Sequence, residues 1–231
     1  MISSLKKFLR KLKKHLRELL PRTNRQRFIL AVAVVFLLLF AAPVLYRMLK
    51  SGNSTPEQQV ITYSTDNPDE SFDNAQTFTW SGGPEDPRRI IIDKIQANGY
   101  IQKMGVDQHN KIAAPTNVHL AGWFIESAKP GEPGLSIIAA HVSGRSVDGL
   151  FKQLASLEIN DEFQVERGDG TILRYQVIGL TTVSEAESAS VLYSQDPKMS
   201  SQLNLITCSG PFDRSQNSYE QRTIVQASLI Q

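Results

Sequence analysis

Three textures of apolar and polar positions succeed one another along the chain. Up to position 27, Leu5, Phe8, Leu9, Leu12, Leu16, Leu19 and Leu20 recur at helical spacing with Lys and Arg between them. That is the pattern of a basic amphipathic helix suited to an anionic membrane surface. From Phe28 to Tyr46, nineteen residues (FILAVAVVFLLLFAAPVLY) pass without a charge. At 1.5 Å per residue such a helix spans roughly 28 Å, close to the ~30 Å hydrocarbon thickness of a bilayer. The reading is a transmembrane signal-anchor helix over 28–46. Residues 47–87 then lose all periodicity, and 51–87 hold seven acids and no Lys or Arg. So polar a stretch buries too little apolar surface to offset chain entropy, which predicts a flexible acidic stalk.

From Arg88 the texture changes again, to short β-type runs separated by turn residues. Expected strands are Arg89–Ile95, Tyr100–Met104, Leu135–Val142, Glu162–Glu166, Leu173–Val183, Gln202–Thr207 and Thr223–Leu229. Pro130-Gly131, Pro133-Gly134, Asn160-Asp161 and Gly168-Asp169-Gly170 supply turns between them. Leu150, Phe151, Leu154 and Leu157 fall at helical spacing and predict a short helix over Val147–Leu157. Many short strands in one domain, 88–231, are best accommodated by closure, which removes exposed edges. The expected fold class is mainly β: a closed barrel of about eight strands with one or two short helices, after the membrane helix.

Charge adds orientation. Ten Lys and Arg against the single acid Glu18 give residues 1–27 a charge of +9, leaving −7 for the rest of a chain whose net charge is +2. Basic residues before an apolar span hold that end in the cytoplasm, so the acidic body is expected outside the cell membrane. A cleaved signal peptide is the competing reading of the apolar run. Its length, the extended basic region and Pro43 after Ala41-Ala42 all argue for retention. The first 27 residues serve equally as a surface helix or as a plain topology signal.

Candidate chemistry centres on Cys208, the only cysteine. With no partner it forms no intramolecular disulfide, and its bland alternative is a small buried hydrophobe. Its surroundings favour chemistry. Leu203–Cys208 alternates like a strand and meets Ser209-Gly210-Pro211, a turn signal. Tyr219–Val225 opens another strand, bringing Arg222 near if the two pair. His141 follows the apolar run Ile137–Ala140. A thiol, an imidazole and a guanidinium at strand ends match the needs of acyl transfer: a nucleophile, an acid and base for the leaving amine, and a fixed cation for the oxyanion. Arg suits the last role because it stays protonated.

The same residues carry a resemblance. Leu205-Ile206-Thr207-Cys208 resembles the TLxTC signature of sortases, with Asn204 where Thr is usual. Tyr219–Val225 resembles the segment bearing their catalytic arginine. Pro130-Gly131-Glu132-Pro133-Gly134 followed by Ile137–His141 resembles their PGExG…GH segment, with Ala140 where Gly is common. The similarity covers about 89–231, and Phe212-Asp213-Arg214 with Tyr219 looks closest to class F. The resemblance implies a cysteine transpeptidase that cleaves an LPxTG-like sorting motif through a thioester on Cys208. His141 would protonate the departing amine, Arg222 would hold the oxyanion, and Thr207 would add a substrate contact. It implies protein substrates bearing a C-terminal sorting signal, and an amine acceptor on a cell-wall precursor or another protein.

Other readings stand beside this one. Arg214 competes with Arg222 for the cationic role, and Arg222 is preferred because it leads directly into a strand. His109 lies in a polar turn and reads as a solvated loop residue; His119 precedes Leu120–Trp123, near the expected groove. Glu126, Asp148, Glu158 and Asp161 match no calcium-loop spacing. No Cys/His cluster, phosphate loop or dinucleotide fingerprint occurs. No metal, cofactor or nucleic-acid partner is therefore expected. A short stretch such as Ser184–Ser190 is a gate candidate. A non-catalytic membrane-tethered barrel and a hydrolytic cell-wall cysteine peptidase are the alternative functions.

Overall fold

A computed structural model describes residues 58–65 and 67–230. The amphipathic segment and the apolar span over 28–46 lie outside the described residues.

Eight strands among the described residues close into a barrel: β1 (Pro87–Ile92), β2 (Ala97–Met104), β3 (Ala121–Phe124), β4 (Gly134–Ala140), β5 (Glu162–Arg167), β6 (Ile172–Ser184), β7 (Ser201–Asp213) and β8 (Ser218–Leu229). Their order around the barrel is β1-β2-β3-β4-β7-β8-β6-β5. Two helices accompany them, α1 (Phe72–Gln76) and α2 (Glu185–Leu192). The pairs β2–β3 and β4–β7 are parallel and the rest antiparallel.

Strand alternation divides the apolar residues between two faces. Ile138, Leu203, Leu205, Val225 and Ala227 point inward and join Ile90, Phe151, Phe163 and Tyr175 in the barrel core. Their alternates Ile137, Ile206 and Ile224 form a second cluster with Phe124 and with Leu192 of α2. This outer face carries the candidate site.

The structure departs from the sequence expectations in four places. Strand β3 was not expected, because all four of its residues are buried and offer no alternation. It also contains Gly122, where a Cβ would lie 2.0 Å from the Met104 sulfur, so the absent side chain is what lets the long neighbour fold over the strand. The helix expected over Val147–Leu157 is reduced to a single 3-10 turn at Leu154–Ser156. Its backbone turns back on the end of β4 instead: Gly149 and Phe151 donate N–H to the carbonyls of Val142 and His141 at 3.0 Å each. Phe151, Leu154 and Leu157 are buried as their spacing suggested, but in a tertiary loop.

Third, the stalk expected over 47–87 is not free along its described length. Its described part, 58–65 and 67–86, is docked on the barrel. Ile61 bridges Met104, with Ile61 N–H to the Lys103 carbonyl at 2.9 Å and Gly105 N–H to the Ile61 carbonyl at 2.9 Å. Asp69 pairs likewise with the β2–β3 connection. Backbone hydrogen bonds hold this segment, and a polar sequence hides them because every residue except proline carries the same donor and acceptor. Its end is clamped by Asp86, 6 % exposed, which binds Lys103 at 2.9 Å and Lys129 at 3.1 Å. Fourth, β7 does not end near Cys208. Gly210, at φ +78°, allows a bulge between Ser209 and Phe212, and the strand runs on to Asp213.

Candidate active site

Cys208 and Arg222 are direct partners across the antiparallel β7–β8 pair. The row extends to β6, where Val183 faces Arg222. On the other side, β4 pairs in parallel with β7 up to Ala139 opposite Ile206. Two residues further on each chain are His141, the first residue past β4, and Cys208, still within β7. All three side chains are half-buried. One of the expected strand ends is real, that of β4 before His141; Cys208 and Arg222 sit mid-strand in a hairpin. Mid-strand positions hold side chains more rigidly than loops do.

Parity places Cys208 and Arg222 on the outer face, one row beyond Ile206 and Ile224. Half-buried Val106, Ile112, Leu135, Val183 and Val191 pack around that floor. The outer side of the sheet is thus a buried apolar layer, closed over by Leu192 of α2, with the thiol and guanidinium at one end.

His141 and Arg222 are each fixed by contacts of their own. The His141 Nε2 lies 2.8 Å from the Pro115 carbonyl. A carbonyl only accepts, so Nε2 carries the proton there and Nδ1 of the neutral ring keeps the lone pair. Arg222 is bound on several sides. Nη1 donates to the carbonyls of Tyr219 (2.6 Å) and Gln221 (2.8 Å), and Nη2 to Ser218 Oγ (3.2 Å). Nη2 also pairs with Glu185 at 3.1 Å.

Burial pushes the Cys208 thiol above its ordinary range; Arg222 pulls it down and Glu185 pushes it up. Burial holds His141 below the usual imidazole range, opposed by the Pro115 carbonyl. At neutral pH the resting pair is therefore thiol and neutral imidazole.

Thr207, expected to add a substrate contact, is placed differently. It is buried, inward-facing, and its hydroxyl donates to the Ala140 carbonyl at 2.8 Å. It therefore pins the residue before His141 and does not reach the outer face. Asn204, the departure from the sortase signature, has a role visible only in the fold. Its amide donates to the Leu192 carbonyl at 2.7 Å, and its carbonyl accepts from Gln202 at 2.9 Å, which ties the end of α2 to β7. Arg214 lies exposed in the hairpin turn, apart from the row. His109 is an exposed loop residue. His119 contacts the N-terminal segment, with Phe72 edge-on at 5.4 Å. Ser184–Ser190 forms the start of α2, closed by a capping box between Ser184 and Glu187. Sequence reasoning missed Glu185; its signal was an acid in the first turn of a helix, which is common on solvated surfaces.

Comparison with known proteins follows the same line. The family model described as "Sortase domain" matches residues 90–230. Sortase A from Corynebacterium diphtheriae aligns with 82 % of this chain and 84 % of its own at 21 % identity and a TM-score of 0.50, a likeness of fold. Sortase C-1 from Actinomyces oris is 26 % identical over 63 % of this chain and 75 % of its own, with a TM-score of 0.47. A Clostridium perfringens sortase D5 transpeptidase shows 21 % identity over 63 % and 79 %, with a TM-score of 0.46. No curated protein matches the chain.

Proposed function

Because the chain belongs to the sortase family and is thereby a cysteine transpeptidase, we propose that Cys208 is its nucleophile, His141 its acid and base, and Arg222 its oxyanion donor. The observation that carries this reading is the shared row, with Cys208 opposite Arg222 on β7–β8 and His141 two residues past the β4–β7 register.

An extended sorting peptide lies across the end of the outer face where Cys208 and Arg222 are half-buried. The Cys208 proton passes to Nδ1 of His141, the nitrogen left free by Pro115. The sulfur then attacks the scissile carbonyl carbon, a C–S bond forms and the π pair moves onto oxygen. Arg222 donates to that oxygen. The intermediate collapses, the C–N bond breaks and His141 returns the proton to the departing amine. An incoming amine repeats the sequence in reverse, and the acyl group leaves sulfur for nitrogen. Thr207 supports the site through Ala140.

The setting follows from the sequence: residues 28–46 span the cell membrane with 1–27 in the cytoplasm, and the barrel faces the cell wall outside. The substrates are proteins carrying a C-terminal LPxTG-like signal, and the acceptor is an amine on a wall precursor or another protein. Phe212-Asp213-Arg214 with Tyr219 supports placement near class F. Full-length protein in detergent, given such a peptide and an amine, is expected to release the C-terminal fragment and form the amide product. Cys208→Ala is expected to lose both, and mass spectrometry is expected to trap a thioester on Cys208 when the amine is omitted. Turnover in Cys208→Ala would remove the nucleophile assignment.

A further inference from the structure

Arg222 is steered by a charge outside the Cys–His–Arg row. Glu185, the first residue of α2, places Oε2 3.1 Å from Arg222 Nη2 and Oε1 2.7 Å from Lys111 Nζ. Lys111 belongs to the β2–β3 connection, whose Pro115 carbonyl holds His141. Ser218 Oγ completes the ring, 3.3 Å from Glu185 Oε2 and 3.2 Å from Arg222 Nη2. The capping box of Ser184 and Glu187 fixes the start of α2, so Glu185 is delivered from a rigid element.

An arginine side chain has several free torsions, and a guanidinium stabilises an oxyanion only where its donors already point. The backbone carbonyls of Tyr219 and Gln221 hold Nη1, leaving rotation about the head group to be stopped at Nη2. Glu185 supplies that stop. Two cations and one anion leave the cluster with a net charge of +1, so fixing Arg222 does not cancel the positive field at the reacting carbon. We propose that Glu185, itself anchored by Lys111, is a positioning residue that sets the Arg222 guanidinium for the oxyanion formed at Cys208.

The assignment rests on the function proposed above, and a double-mutant cycle separates the two. In full-length enzyme, Glu185→Gln is expected to lower kcat about tenfold with KM within about twofold, because the lost contact matters in the transition state. In an Arg222→Ala background the same change is expected to cost less than about twofold, since residues acting through one another are non-additive. Glu185→Asp is expected to recover part of the loss. An equal cost in both backgrounds, or none in the parent, overturns the assignment of Glu185. An active Cys208→Ala protein instead overturns the underlying reading, and Glu185 with it. Thermal melting of Glu185→Gln alongside the parent controls for folding. Glutamine keeps the volume and the acceptor oxygen of partly exposed Glu185, so equal melting with reduced kcat is the expected pair of results.

Discussion

Arg222 and Arg214 show how register decides between like residues. They are eight positions apart and equally charged, yet one faces Cys208 across β7–β8 and the other sits in the exposed turn of the same hairpin. Arg222→Ala is expected to lower kcat/KM by about 10²–10³, the usual loss for one oxyanion donor, and Arg214→Ala by less than about twofold. Steady-state kinetics on a fluorogenic sorting peptide checks both. The pH dependence follows from the same residues. Burial raises the Cys208 thiol and lowers His141, so the reactive thiolate–imidazolium form is a small, constant fraction between the two ionisations. Gaining a proton removes the thiolate at the acid end, and losing one removes the imidazolium at the alkaline end. Below the depressed His141 value both groups are protonated, and above the raised Cys208 value both are deprotonated. A plot of kcat/KM against pH is expected to be a broad bell, with the acid limb below the ordinary imidazole value and the alkaline limb above the ordinary thiol value. A single limb near neutrality would contradict the pairing.

At the scale of elements, two attachments hold the site's frame. Thr207 pins the end of β4 from inside the barrel. Thr207→Val leaves the buried Ala140 carbonyl without its donor and is expected to cost about 1–3 kcal/mol, read from urea denaturation. The Asp86 clamp binds the segment before β1 to Lys103 and Lys129. Burial pushes the Asp86 carboxyl up, but hydrogen bonds from Lys103, Gly83 N–H and Lys129 outweigh it and hold it below the usual range. Its folded value lies below its unfolded one, so the stabilisation is complete above the unfolded value and disappears as pH falls through the folded one. Asp86→Ala is expected to cost about 1–3 kcal/mol at neutral pH, because half-buried Lys103 and the Gly83 N–H lose their partner. The difference from the parent is expected to shrink in acid. These elements were partly legible. Seven of the eight strands announced themselves by alternation or by turn residues. β3 did not, because a strand buried on both faces carries no alternating signal. The Val147–Leu157 loop imitated a helix because three of its apolar residues reach one core from an irregular path.

Over the whole molecule, the proposed topology has its own test. A protease added to intact cells is expected to remove the 88–231 domain while residues 1–27 stay protected, and replacing the Lys and Arg of 1–27 by Gln is expected to scramble that orientation. Local chemistry was readable in the linear chain: an unpaired cysteine, a histidine after an apolar run and an arginine entering a strand, together with a barrel-forming rhythm of short β segments. These follow from composition and period, which a chain carries whatever it folds into. Tertiary structure alone decided that Cys208 and Arg222 stand mid-strand across a bulged hairpin, that Thr207 faces inward, that the polar 58–86 segment docks by its backbone, and that Glu185 meets Arg222. Those facts depend on strand register and on which distant backbones share hydrogen bonds. A shift of one residue would turn every side chain in the row to the other face, and only closure of the barrel selects the register.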